Sequence, residues 1–525
     1  MRTVYRNGVV HARGPVVPTA LVVDDARVAW IGTDDAVPED VDAVVDLDGA
    51  LVTPGLVDAH VHVVQTGVAA VAADLSGAAT LHDALDRLAA APVCGGVVVA
   101  YGWDDSRWPE QRPPTAEEVG RAVGDAPAYV ARAGLGSAVV SAALADVAGC
   151  RDVAGWAEGL VVGEAQARAR AALIRGLGGR REELVLAGLR AFAARGVVSV
   201  HEFSDPEDAR ADLAALLAMT ADAASGLPEV VGYRTELCQD AGQVRRLAEE
   251  IPGLSGVAAA VDGPLVSRGG ALRSAYADGD PATRGELVLT AEQVANHVGA
   301  ATRAGLQAAL GVVGDRAMAE ALLGVQAAAE VEGVERMHGA GHRLEGAEMI
   351  DTPALARILL LGMTVCGRPA HDASWGGPQG AYGRLLGAVR AANLNPFADL
   401  VGAGVPLAFA SGSPATPLDP WATIRAAVHH REPSQRLSLE AAFGAHTVAG
   451  HRAARRPDSG VLRAGGPATF AVWRDVGPVG GQRPGGASGL LLPDLGEGPE
   501  LPDGWRGPTC VRTLRDGVVL HDETA

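Results

Sequence analysis

Short alternations of apolar and polar residues fill the first fifty positions: RTVYRNGVV, TALVVDDARVAWIG and VDAVVDLDGALVTPG. A period of two predicts strands with one buried face. Asn7-Gly8 between two such runs predicts a two-residue hairpin. RTLRDGVVLHD, residues 512–522, repeats the opening segment with Asp516-Gly517 at the turn, and GVLRAGGPATFAVWRD before it reads as further strands. Residues 1–53 plus 458–525 are therefore expected to form one composite β-sandwich domain. A Gly- and Pro-rich stretch, 476–508, reads as a surface connection.

Residues 54–457 have another rhythm. Short apolar runs (GGVVVAYG, APAYVARAG, GVVSVHE, LQAALGVVG, MTVCGR, VPLAFAS) alternate with Ala-rich amphipathic stretches such as TAEEVGRAV and PWATIRAAVHH. Strand and helix alternating at this spacing predict a parallel sheet. So many repeats predict an α/β fold of the (β/α)8 TIM-like barrel type, with its working residues at the C-terminal ends of the strands.

Charge and composition narrow the partners. Acidic residues outnumber basic ones 63 to 44, for a formal net charge of −19, with no basic stripe. That argues against nucleic acid or an anionic membrane surface. All 44 basic residues are arginine, which excludes a Schiff-base lysine, a phosphate-loop lysine and a carbamylated lysine between two metals. Five scattered cysteines without a C-x-x-C read as buried thiols in a reducing compartment. The N-terminus has no apolar leader and no segment has the length of a membrane span, so the expected location is the cytoplasm. No dinucleotide fingerprint, G-x-S-x-G elbow or H-E-x-x-H motif is present, and no nucleotide cofactor is expected.

Candidate chemistry gathers in two places. VTPGLVDAHVH, residues 52–62, ends an apolar strand with His60 and His62 two apart, which points both imidazoles the same way. Such a pair suits a divalent metal, but a stable site needs a third protein ligand; the alternative is a hydrogen-bonded histidine pair. Glu202, at the end of GVVSVHE and read as the end of the fourth barrel strand, is the candidate third ligand, with His201 as its substitute. The second place is RPAHDASWGGP. There Arg368 offers a permanent charge for a carboxylate or carbonyl, and His371 a general acid or base oriented by Asp372. The structural alternative makes Asp372 a turn cap and His371 a loop histidine under Trp375. In GWDDSRW, Trp103 or Trp108 contacts substrate, or both pack the core.

PGLVDAHVH resembles the first-strand signature of the amidohydrolase superfamily. GWDDSRWPEQRPPT (102–115), GVVSVHE (196–202), GVVGDRA (311–317), HRLEGAEMID (342–351), RPAHD (368–372) and ASGSPATPLDPW (410–421) resemble amidohydrolase family 3, the group containing N-substituted formamide deformylases. The resemblance runs nearly end to end, including the split sheet domain. It implies hydrolysis of C–N bonds at a binuclear metal site, and it implies ligands this chain lacks. Histidines of the pattern fall on Gly136, Gly311 and Gly346. The aspartate that serves as ligand and general base falls on Gly412, with Ser411, Ser413 and Pro414 intact around it. Arg368 stands where the pattern has glutamine. The loop carrying Trp103 is implied to lie over the barrel mouth, and substrate contact is expected from Trp103, His201, Glu345 and Ser413.

Three functions follow, in this order. The first is an enzyme acting on a small amide, or another C–N or carbonyl compound, by metal-independent or single-metal chemistry through Arg368, His371 and Asp372. The second is a catalytically silent ligand-binding relative. The third is a conventional metal-dependent C–N hydrolase. The expected cofactor is none, or one zinc-like ion held weakly by His60, His62 and Glu202. The expected partner is a small molecule in the barrel mouth, and a homodimer is compatible with each reading.

Overall fold

The computed structural model describes residues 1–12, 16–206, 208–279, 282–476, 480–482, 488–493, 495, 496, 498 and 507–523. Eight parallel strands form the central sheet: β1 (Leu56–Val61), β2 (Val197–Ser204), β3 (Glu229–Thr235), β4 (Gly256–Ala260), β5 (Gln307–Val312), β6 (Arg343–Gly346), β7 (Thr364–Gly367) and β8 (Leu407–Phe409). They follow one another in chain order around the sheet. The two ends meet just beyond β8, where Gly412 N donates to His60 O and His62 N donates to Ser413 O, both at 3.1 Å. The fold is thus a nearly closed (β/α)8-type barrel with additional β-sheets.

The barrel strands are not all the ones the apolar runs suggested. Val97–Trp103 and Ala128–Arg132 belong to a separate seven-stranded sheet inserted between β1 and β2. In that sheet Ala128–Arg132 pairs antiparallel with Ser137–Val140, the pairing a short turn allows and a parallel barrel does not. GVVSVHE is therefore the second barrel strand, paired directly with β1, and not the fourth.

Strands from both ends of the chain build two further sheets. Arg27–Gly32, Ala20–Asp24, Arg2–Arg6 and Ala43–Asp46 make one; Val9–Val10, Leu51–Pro54, Phe470–Arg474, Thr509–Arg515 and Val518–Asp522 make the other. Tyr5, Leu21, Val23 and Val28 of the first pack against Val52, Phe470, Val472 and Leu514 of the second. Asp516-Gly517 forms the expected hairpin, with Arg515 opposite Val518. Asn7-Gly8 does not. Asn7 takes a φ of 59° and is held by Asp46, and the chain crosses from one sheet to the other. Of the 476–508 stretch, 480–482 and 488–492 pair as two short strands; most of the remainder lies outside the described residues. Among the described residues no helix is long and apolar enough to cross a membrane.

Candidate functional site

Strand alternation decides which side chains reach the barrel interior. On β2, His201 and Phe203 point inward, and Glu202 therefore points out. Its carboxylate accepts the Val63 N–H at 2.7 Å, at the first turn of the helix Val63–Val71. Burial pushes Glu202 up to about 8. On β6 the inward residues are Arg343 and Glu345. Arg343 is fully buried. It donates to Glu345 Oε1 (2.7 Å), His201 Nδ1 (2.8 Å), Tyr233 Oη (2.9 Å) and Ala59 O (2.6 Å), and lies 4.7 Å over the Tyr233 ring. Burial alone pushes Glu345 up, but Arg343 and His60 outweigh it and hold the carboxyl below its usual range. His201 is held neutral by burial and by Arg343, and serves this network rather than a ligand.

Above the network lies a cavity of about 230 Å³. His60 and His62 line it, as do Phe203, Asp262, Glu345, Glu348, Arg368, His371, Trp375 and Tyr382. His60 donates from Nδ1 to Glu345 Oε2 (2.8 Å), and His62 from Nδ1 to Phe203 O (2.9 Å). Phe203 stacks on His60 at 4.0 Å and on Tyr233 at 4.7 Å. Burial, and after it the charge of Arg368, lowers His60 to about 3. Asp262 is fastened by three backbone N–H groups, of Ala271, Val313 and Gly314, at 2.7–2.8 Å. Burial still pushes it up to about 7.

Arg368 and His371 follow β7 and both reach the cavity. His371 Nδ1 lies 3.6 Å from Glu348 Oε1, and its ring meets Trp375 edge-on at 4.7 Å. Burial lowers its pKa. Asp372 is not its partner. Consecutive residues of a helix do not share a face, and Asp372 turns away toward His430, at 3.7 Å. Glu348 takes the place expected of Asp372. The sequence signal was available: Glu348 lies three residues past Glu345 in the same segment.

Other expected contacts fall elsewhere. Trp103 is buried in the core of the inserted sheet, its indole N–H bonded to Val130 O at 2.9 Å, with Trp108 beside it. Trp375 is the tryptophan at the cavity. Ser413 bonds to Thr66 at 3.1 Å and lines a different space, between the β8 loop and the inserted sheet.

The four glycines part company. Gly311 lines the cavity. A Cβ on Gly136 would meet Ser267 Oγ at 2.6 Å. Gly346 has a φ of +83° and faces Val312 and Val313. Arg368 lies beside Gly412: an ideal Cβ there would stand 3.4 Å from Arg368 Cδ, 3.5 Å from its Nε and 3.6 Å from His371 Nε2.

This donor set does not fit a divalent metal. His60 and His62 each keep Nε2 free, but no third His, Cys, Asp or Glu converges with them among the described residues, and two ligands do not hold a structural or catalytic ion. Glu202, the expected third ligand, faces out of the barrel. Among the described residues no group of three or more His, Cys, Asp or Glu is arranged to hold a metal. The guanidinium on the same cavity repels a second cation.

In comparison with known proteins the chain matches a family model and solved structures over most of its length, and other relatives over short stretches. A family model described as the amidohydrolase family matches residues 43–519. A dihydroorotase from Lactobacillus helveticus (strain DPC 4571) is 42% identical over 62 residues, 12% of this chain and 14% of that protein. An imidazolonepropionase from Anaeromyxobacter sp. (strain K) is 47% identical over 75 residues, 12% of this chain and 18% of that protein. The chain thus spans less than a fifth of either relative. A metal-dependent hydrolase from Pyrococcus horikoshii OT3 superposes with a TM-score of 0.71 at 23% identity, covering 90% of this chain and 98% of that one. One from Pyrococcus furiosus gives 0.68 at 24%, with the same coverage. These two likenesses show the fold.

Proposed function

The chain belongs to the amidohydrolase family, and from that premise we propose a metal-independent enzyme acting at a C–N or carbonyl bond of a small organic substrate in the barrel mouth. One observation carries the reading. Arg368 and His371 meet on one cavity, with Glu348 behind the imidazole and no side chain at Gly412 to neutralise the guanidinium.

Each group has a role that its surroundings support. Arg368 is a fixed positive charge for a substrate oxygen. His371 is neutral at pH 7, so it can accept a proton from water adding to a carbonyl carbon and deliver it to the departing nitrogen. Glu348 orients the ring and favours the imidazolium that forms. The Arg343–Glu345–His60 chain positions the opposite wall.

A specific observation favours a second reading, a ligand-binding relative without turnover. Glu345, the carboxylate bonded to His60, is committed to Arg343, and position 412 just past β8 carries no carboxylate. One experiment separates the two. Chelator-treated protein is assayed on a panel of small amides, cyclic amides and esters, beside Arg368→Gln and His371→Ala. Turnover that survives chelation and falls about 100-fold or more in both variants supports the enzyme. Turnover lost on chelation and restored by zinc overturns it.

A further inference from the structure

Resting on that reading of Arg368 and His371 as the groups that meet the substrate, the geometry points to a narrower ligand: a small organic acid whose carboxylate is held by Arg368 and whose body is apolar. Arg368 is a cation of the cavity wall with no side-chain hydrogen bond or ion pair among the described residues. Glu345 is bonded to Arg343 and His60. Asp262 accepts three backbone N–H groups. Asp205 faces Arg170 at 3.0 Å and accepts from Gln65 at 2.7 Å. Glu348 faces His371 at 3.6 Å, with its Oε2 buried and without a hydrogen-bond partner among the described residues. Arg368 has no ion-pair or hydrogen-bond partner among the described residues, and its Nε is buried without one.

The reason lies one residue past Ser411. A carboxylate at position 412 would reach this guanidinium, since even the Cβ would stand 3.5 Å from Nε; glycine leaves the charge unanswered. A buried donor without an acceptor is costly, the more so for a charged group. A ligand that supplies the acceptor recovers that cost on binding. The planar fork of a guanidinium matches the two oxygens of a carboxylate.

The rest of the cavity describes the rest of the ligand. Phe203, Ala258, Leu265, Val266, Ala309 and Trp375 line it, an apolar surface that suits a hydrocarbon or aromatic body. At about 230 Å³ the space takes a single ring with a short acid arm and not a peptide.

The test is a matched pair, phenylacetate and its neutral amide phenylacetamide, titrated calorimetrically into the full chain after chelator treatment. The acid is expected to bind at least about tenfold tighter, a difference of 1.4 kcal/mol. Arg368→Gln should erase the preference. Gly412→Asp should erase it too, by placing an internal carboxylate on the same guanidinium; aspartate tolerates the left-handed backbone there. Thermal melts of both variants confirm that they are folded. Equal affinity for acid and amide, a preference surviving both variants, or binding of neither compound overturns the inference. Acid-selective binding without turnover on the amide and ester panel retires the enzyme reading and keeps this one. Metal-free turnover of neutral amides with no preference for acids does the reverse.

Discussion

Two arginines stand a short way apart in one barrel and live under opposite conditions. Arg343 is wholly buried and every donor direction is answered, by a carboxylate, an imidazole, a phenol and a backbone carbonyl. Arg368 is partly exposed and none of its donors has a partner among the described residues. A closed polar network in low dielectric fixes a structure, because removing any member strands the others. An open one is a request for a partner from outside. The same side chain therefore reads as architecture below the cavity and as recognition on its wall.

The sharpest way to break the comparison is Arg343→Met. It leaves Glu345 buried with only His60 for company, and should cost about 3–5 kcal/mol of stability in urea or thermal unfolding. Arg343→Met with Glu345→Gln should recover part of that loss; no recovery would mean the network is not the unit described. Arg368→Gln, by contrast, strands nothing and should cost less than about 1 kcal/mol in the same melts. A loss equal to that of Arg343→Met would erase the distinction between the two sites.

A smaller effect concerns Glu202. Its carboxyl rises from 4.5 to about 8, chiefly through burial. The folded state therefore holds a proton that the unfolded chain releases. That contribution is complete below pH 4.5 and is lost as pH rises through 8. Melting temperatures of Glu202→Gln and wild type should diverge in favour of the variant over that window and run parallel above it. Parallel curves throughout would place an ionised carboxylate at the helix start. The smallest expected change is in metal content. Elemental analysis of protein purified without chelator should find well under one equivalent of zinc, unaltered in His60→Ala/His62→Ala. One equivalent, lost in the double variant, would overturn the donor-set argument.

Much of this was legible in the sequence, and the failures have physical causes. The terminal alternation announced sheets and the His60–His62 pair announced the barrel mouth. Arg368 and His371 reach the cavity, but Asp372 is only adjacent to His371 in sequence, and adjacency along a helix turns side chains apart. Glu202 lies near a strand end, as a ligand would, but the alternation along that strand sends it outward. GGVVVAYG and APAYVARAG carry strong strand patterns, yet a pattern names a strand and not the sheet it joins. β4, GVAAA, lacks the β-branched signal that would have marked it. Arg343 was invisible as a hub because its partners come from β1, β2 and β3 as well as its own strand, with Cys366 Sγ of β7 at 3.1 Å.

The strand Leu51–Pro54 ends one residue before β1 begins, and its antiparallel neighbour is Phe470–Arg474. More than four hundred residues of synthesis separate the two. At a ribosome moving about 5–20 residues per second, the segment leading into the cavity waits tens of seconds for its companion. Until then Leu51–Pro54 exposes an unpaired edge, open to the wrong strand or to a chaperone. A chain that ends before Phe470 leaves that edge of Leu51–Pro54 without its antiparallel neighbour, directly ahead of the strand that carries His60.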